Sequence, residues 1–219
     1  MVFNTNRYLL EGICRRLDIP FSSVPAVKDD PAEIRRVLED LGGRCDIVVT
    51  SGGVSVGSRD YVRTTLEGEG FDLLLAGTRI KPGRPLHVAR RGQALVLALP
   101  GYPAAVMANA MLYLVPVLKK AGGRRDYQTT WMQAETCDPF RGRPGSLYLA
   151  RASLSVKNGG WLARDAGSQM SSHFLNYART DGLVRLPPAP PEGCGRPDGS
   201  FVLPEGSVVD ILNFNQELN

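Results

Sequence analysis

The run Cys45-Asp46-Ile47-Val48-Val49-Thr50, followed at once by Ser51-Gly52-Gly53, limits what this chain can fold into more than any other segment. A short, β-branched apolar run without polar alternation is a strand buried on both faces, and such strands belong to sheets covered by helices. The two glycines then turn the chain, and a helix is predicted from about Asp60 to Glu67. A buried strand, a glycine turn and a helix in that order form the repeating unit of a βαβ-built sheet.

The flanking segments extend the pattern. Leu9, Leu10, Ile13, Cys14 and Leu17 share one helical face, with Asn4 or Thr5 as the cap and Pro20 as the stop. Residues 21–27 read as a short strand. Asp30-Pro31-Ala32-Glu33 is a capping-box pattern with proline at the first helical position. Ile34, Val37, Leu38 and Leu41 continue that helix until Gly42-Gly43 ends it. Residues 71–80 and 85–89 read as extended, 94–99 as a second buried strand, and 104–120 as a long apolar helix. The expected fold is α/β, with a mostly parallel, three-layer sheet domain. The polar stretch Gly122-Gly123-Arg124-Arg125-Asp126 sets a predicted boundary, giving domains at 1–124 and 125–219. Beyond it, residues 130–137, 146–156, 161–164, 182–186, 200–203 and 207–213 are short extended pieces divided by Gly, Pro and Asn. They predict a small all-β, barrel-like domain, with one short helix near 172–179 and a proline-rich surface loop at 187–191.

The formal charge of +4 is spread along 219 residues without a block of like charge. That balance points to neither nucleic acid nor an anionic membrane, and it suits a small anionic substrate. Only two histidines are present, so an all-histidine metal site within one chain is excluded. The four cysteines form no C-x-x-C pair, as expected of a reduced interior. No uninterrupted apolar run reaches the ~18 residues of a membrane span. The expectation is a soluble, cytoplasmic protein.

Ligands of open α/β sheets bind beyond the carboxyl ends of the strands. At that position Gly52 and Gly53 let backbone N–H groups approach an anion, and Thr50, Ser51 and Ser55 offer hydroxyls. Asp60 follows, where a carboxylate can hold Mg²⁺ or orient a substrate group. The same residues also fit a plain strand-to-helix turn. No Lys-Ser/Thr pair follows the glycines, so this is not a Walker A loop. Lys81-Pro82-Gly83-Arg84-Pro85 places two cations on a proline-stiffened turn, suited to an oxyanion and equally to a solvated β-turn. Pro100-Gly101-Tyr102-Pro103 repeats the strand–turn–helix arrangement, and alone it reads as helix capping.

These residues, Thr50-Ser51-Gly52-Gly53-Val54-Ser55-Val56-Gly57 with Asp60-Tyr61, then Ile80-Lys81-Pro82-Gly83-Arg84-Pro85, then Leu99-Pro100-Gly101-Tyr102-Pro103, resemble the molybdopterin molybdenumtransferases in order and spacing. The C-terminal region of gephyrin belongs to the same family. Asn4-Thr5-Asn6 and Lys28-Asp29-Asp30-Pro31 also match, as do Ser168-Gln169-Met170-Ser171-Ser172 and Gly182-Leu183-Val184 in the later domain. The resemblance implies an enzyme that takes adenylylated molybdopterin and molybdate, cleaves the adenylate to release AMP, and places molybdenum on the dithiolene sulfurs with Mg²⁺ or a similar divalent cation. It implies that residues 50–57 grip the phosphate, and that Asp60 and Asp29 are acidic site residues, Asp60 at the metal. Lys81 would hold an anion, with Pro82, Gly83 and Arg84 beside it, and Pro100, Gly101 and Pro103 would shape the wall. Ser171 and Arg151 correspond to functional positions of the last domain.

The family begins with two further domains, and enters the α/β domain through a strand and a Gly-Asp-Glu motif. This sequence starts at the linker into the first helix, so the expectation is the C-terminal part of such an enzyme. Its site would be completed by an upstream-domain partner and a homodimer mate. Gly77 stands where many relatives carry a lysine, with Arg79 as a partial substitute. Two other readings are a non-catalytic pterin-binding or scaffold module, and a molybdopterin adenylyltransferase, which lacks the extra β-domain.

Overall fold

Asn4 opens the first helix, α1 (Thr5–Arg16), its side-chain oxygen accepting from the Arg7 amide at 3.2 Å. Asp30 does the same for α2 (Pro31–Gly42), where one carboxylate oxygen accepts from Ala32 and Glu33 at 2.8 and 2.9 Å. The computed structural model describes residues 4–54, 60–170 and 174–219. The chain forms two compact units, Met1–Thr78 with Gly83–Asn109, and Arg79–Pro82 with Ala110–Asn219.

In order, the first part of the chain contributes β1 (Ile47–Ser51), α3 (Tyr61–Leu66), β2 (Asp72–Ala76), β3 (Ile80–Lys81), β4 (His87–Arg91), β5 (Ala94–Leu99) and α4 (Pro103–Asn109). Of these, β3 belongs to the second unit. The remaining strands form one sheet in the order β1-β5-β4-β2. Ile34 and Leu38 of α2, with Val62 and Leu66 of α3, bury Val48, Ala89, Val96 and Ala98 of the sheet. Alternation along β5 turns Leu97 and Leu99 to the opposite face, where α4 contacts β5 and α1 contacts α4. Three layers result, as expected.

The sheet is mixed rather than mostly parallel. β1 and β5 run parallel, whereas β5–β4 and β4–β2 are antiparallel. The cause is the connection between β4 and β5. Arg91 pairs with Ala94 across Gly92-Gln93, and a two-residue hairpin can only reverse the chain, because a parallel pair needs a crossover. The expected strand at 21–27 is also absent. That segment is irregular, with Phe21 and Val24 exposed, and Pro20 and Pro25 each remove a backbone donor that a ladder would need.

In the second unit β6 (Met132–Thr136), β7 (Phe140–Gly142), β8 (Leu147–Lys157), β9 (Gly160–Asp165), β10 (Gly182–Leu186), β11 (Phe201–Leu203) and β12 (Val208–Asn213) follow the helix α5 (Val115–Ala121). Strands β10-β12-β6-β9-β8 pair in that order, and β8 pairs back with β10, closing a five-stranded barrel. Small residues point inward from its walls (Ala134, Ala150, Ala152, Ala163), and Phe140 and Phe201 from the β7–β11 pair fill the space they leave. The expected barrel is thus observed. The sequence pattern missed only the short β7 and the last turn, α6 (Phe214–Glu217).

Residues Pro103–Ala121 are helical throughout, with a π turn at Ala110–Leu114. Their mean hydropathy of 1.3 over a mostly buried face is that of a core helix. The two units divide at Asn109 within this run, earlier than the polar break at Gly122. Part of the reason lies at its end. Lys119 is buried in an ion pair with Glu217 of α6 at 3.2 Å, which binds α5 to the barrel unit.

Candidate functional site

Two of the three turns read from the sequence meet at the carboxyl ends of neighbouring parallel strands. Ser51 stands in register with Leu99, and the Gly52 amide donates to the Leu99 carbonyl at 2.9 Å. Gly101 approaches so closely that a β-carbon on it would lie 3.6 Å from the Gly52 α-carbon. Asn6 of α1, almost fully buried, bridges the pair, its Nδ2 donating to the Gly101 carbonyl at 2.8 Å and to Ser51 Oγ at 3.4 Å. Gly53 has φ of 69°, and a β-carbon there would sit 2.8 Å from Val62 Cγ2, so both backbone and space demand glycine. Pro100 is buried as the wall of this corner, and Pro103 begins α4.

Beneath the glycines lies a row of polar side chains. Thr50 pairs with Ala98 and Ala98 with His87, so the three share one face of the sheet. Ala98, having only a methyl group, leaves space between its neighbours. Thr50 Oγ1 and His87 Nδ1 are buried without a hydrogen-bond partner among the described residues, and so is Asp60 Oδ2 at the head of α3. Buried polar atoms without partners are rare, and they concentrate where a ligand or ion supplies the missing bond. Burial pushes the His87 imidazole below its ordinary pKa, and the Arg63 guanidinium acts in the same sense. The charges of Glu67 and Asp60 and the Pro85 carbonyl oppose them. His87 is therefore neutral at neutral pH. No sequence signal marks His87 as a site residue, because only the register of β4 against β5 brings it to this row.

Asp60 supplies a single carboxylate. Among the described residues no group of three or more His, Cys, Asp or Glu side chains is placed to hold a metal ion. One carboxylate with a free buried oxygen does fit Mg²⁺, which is commonly bound by one or two carboxylates plus substrate phosphates and water. Asp29 lies exposed on the loop before α2, apart from the paired turns in the bonding pattern. Ser55, Gly57 and Ser171 lie outside the described residues.

The third turn divides between the units. Gly83, with φ of 122°, and Arg84 are fixed in the first unit, where the Thr78 amide donates to the Arg84 carbonyl at 2.8 Å. Gly77, just before it, has φ of 83°, a conformation in which a lysine, or any residue with a side chain, would be strained. Lys81 and Pro82 lie in the second unit. Lys81 pairs with Tyr148 of β8, and its ammonium sits 5.5 Å from the centre of that ring. Arg151, further along β8, is the largest fully buried side chain. Its Nη2 donates to the carbonyls of Ser168 and Met170, its ring partner is Tyr177 at 5.4 Å, and Nε has no partner among the described residues. Gln169 braces the Arg151 backbone from both sides, at 2.8 and 3.0 Å. No carboxylate pairs with this buried guanidinium among the described residues. Burial pushes Tyr177 up to about 12, while Arg151 pulls it down.

A three-layer α/β unit with glycine and proline corners at adjacent strand ends, followed by a five-stranded barrel, defines the class of two-unit molybdopterin-binding proteins. Residues 1–120 match the family described as "Probable molybdopterin binding domain", and residues 133–214 match the "MoeA C-terminal region (domain IV)". The chain belongs to the molybdopterin molybdenumtransferase (MoeA) family. It is 29% identical over 191 residues to the molybdopterin molybdenumtransferase of a Nostoc species, covering 85% of this chain and 44% of that protein. It is 27% identical to the "Molybdenum cofactor synthesis protein cinnamon" of Drosophila melanogaster, covering 85% and 31%. The moeA protein of Pyrococcus horikoshii has the same fold, with a TM-score of 0.71 at 23% identity, covering 97% of this chain and 47% of that one. The chain spans less than half the length of each of these relatives.

Proposed function

We propose that this chain carries the ligand-binding half of a molybdenum-insertion enzyme, acting on adenylylated molybdopterin and molybdate in the cytoplasm and releasing AMP. The observation that supports this best is the pair of corners at residues 50–53 and 100–103, held together by the Gly52–Leu99 bond and by the Asn6 side chain, above buried polar atoms that lack partners among the described residues. Such a corner offers backbone amides to a phosphate and acceptors to a cation, which is what an adenylate ligand with its counter-ion requires.

The roles follow from the chemistry of each group. The Gly52 amide is taken by the Leu99 carbonyl, so the Gly53 amide, with Ser51 and the neighbouring Ser55 and Gly57, holds the phosphate. Asp60 would hold Mg²⁺, and the bound ion would neutralise charge on the departing adenylate. Asp29 is a second acidic residue of the site. Lys81 and Arg84 hold anionic oxygens from a stiff turn, and Arg151 with Ser171 seats an anion in the barrel unit. A buried guanidinium without a carboxylate is suited to a small dianion such as molybdate. Attack of water on the AMP phosphorus breaks the phosphoanhydride, freeing AMP and leaving the pterin's own phosphate; molybdenum binds the two dithiolene sulfurs as one molybdate oxygen leaves as water with the two thiol protons, its oxidation state unchanged. Positioning and electrostatic stabilisation account for this, and no protein nucleophile is needed. The two sequence domains, 1–124 and 125–219, act with an upstream region and a second copy that complete the site.

The test is AMP release from adenylylated molybdopterin, measured with and without molybdate, in this chain alone and joined to the upstream region of a relative. Molybdate-dependent release that Asp60→Asn abolishes, with circular dichroism unchanged, is expected. Absence of that release in the joined protein refutes the proposal.

A further inference from the structure

Asn109 is anomalous for its place. It is fully buried at the end of α4, among Ala104, Ala105, Val106 and Ala108, where leucine or alanine would favour both the helix and the core. Its Nδ2 spends both hydrogens on main-chain carbonyls. One is Ala105, a turn earlier in the same helix, at 3.0 Å. The other is Gly83, at 3.0 Å and 26 residues away in sequence, inside the turn that presents Arg84. The helical ladder then opens into the π turn at Ala110–Leu114, a distortion expected where a side chain competes for ladder carbonyls. The helix thus gives up regularity at this point, and the one long-range bond it gains goes to the turn.

The rest of the turn depends on few bonds. Thr78 N donates to the Arg84 carbonyl at 2.8 Å, and Thr78 Oγ1 lies 3.4 Å from the carbonyls of both Gly83 and Arg84. Gly83, with a positive φ, resists wandering less than any other residue would. A turn of this kind keeps its charges in place only if its backbone is held from outside.

We infer that Asn109 is a positioning residue, which fixes the backbone at Gly83 and Arg84 so that the Arg84 guanidinium meets the substrate anion at one place. This inference rests on the proposed function for the anion, but not for the order of the turn. The experiment therefore reads the two separately, on the full chain. Hydrogen exchange of the Thr78 amide reports whether the turn is closed, and calorimetric titration with molybdate and with AMP reports anion affinity. Asn109→Leu removes both donors, Asn109→Ser retains one in a smaller side chain, and Val106→Ala is the control for equal burial in the same helix.

Asn109→Leu is expected to speed Thr78 exchange, and to weaken anion binding, by about tenfold each, the worth of one hydrogen bond. Asn109→Ser should fall between it and the parent, and serves alone if the leucine variant does not fold. Val106→Ala should lower the melting temperature and leave both readouts unchanged. Thr78 exchange that is unaltered in the Asn109 variants, or altered as much in Val106→Ala, overturns the inference. Faster exchange in a chain whose parent binds neither anion supports the positioning role and refutes the anion-holding function instead.

Discussion

Replacing Glu217 with alanine is expected to destabilise the second unit by about 3–5 kcal/mol, because it leaves a buried ammonium unpaired. The structure makes the case strong. The side chains of Lys119 and Glu217 are 4% and 1% exposed, so neither charge can turn to water without moving α5 or α6. Glu217 also accepts from the Thr130 amide at 2.7 Å, so its loss orphans a second donor, adding about 1 kcal/mol. Lys119→Met alone should cost somewhat less, since the carboxylate keeps the Thr130 bond. The double variant, Lys119→Met with Glu217→Leu, removes both charges and should recover all but about 1–2 kcal/mol, which makes the coupling between the sites several kcal/mol. Both tryptophans, Trp131 and Trp161, lie in this unit, so urea unfolding followed by their fluorescence reports on it and not on the first unit. A single Glu217→Ala variant that loses less than about 1 kcal/mol, the range of a surface pair, would show that water reaches the charges. A double variant as unstable as the worse single one would refute the pairing argument directly.

Three further outcomes follow from the site. Gly53→Ala should cost about 2–4 kcal/mol by circular dichroism melts, from its positive φ together with the 2.8 Å approach to Val62, while Gly52→Ala, with open space at its β-carbon, should show only the backbone part. Equal costs would mean that Val62 moves aside freely. His87 has a folded-state pKa below the unfolded value of ~6.5, so the unfolded chain takes up the proton first. Stability should therefore hold above that pH and fall as pH drops through it, levelling once folded His87 is itself protonated; urea titrations of the parent and His87→Phe between pH 8 and 5, on the order of the range spanned by histidine titration, should differ in slope below ~6.5, and identical slopes would refute the assignment. Asp60→Asn should leave the melting temperature unchanged or raise it, by up to about 1 kcal/mol in stability, while losing Mg²⁺-dependent AMP release, because a carboxylate with an unpartnered buried oxygen is held at a cost. A marked loss of stability would assign Asp60 to the fold rather than to the ligand.

What the sequence discloses and what it conceals divide along a physical line. Elements whose cause is local are legible. Asp30 caps α2 through its own next residues, and Gly53 turns the chain because its own φ requires it. The barrel strands show in the spacing of Gly, Pro and Asn that ends each one, although β7, three residues long, is too short to carry a pattern. The mixed sheet was hidden for the opposite reason. Direction is decided by Gly92-Gln93, two residues that read as any loop until Arg91 and Ala94 are seen to pair across them. The same distinction runs through the site. Its corners are written in contiguous motifs, whereas the groups that hold those corners are single residues from distant elements. Asn6 reaches Gly101 from 95 residues away, and Asn109 reaches Gly83 from 26. Asn109 has no motif, and Asn6, though it stands in Asn4-Thr5-Asn6, shows nothing there of what it reaches, because a side chain that serves another segment's backbone needs no particular neighbours of its own. Motif reading therefore finds the corners of the candidate site before it finds the groups that keep them still. In this chain the second kind are two buried asparagines, Asn6 and Asn109, each with an unpartnered polar atom among the described residues and each misplaced by the logic of an apolar core. A buried polar residue that helix or strand preference would not choose marks where the fold gives up stability to hold a turn in place.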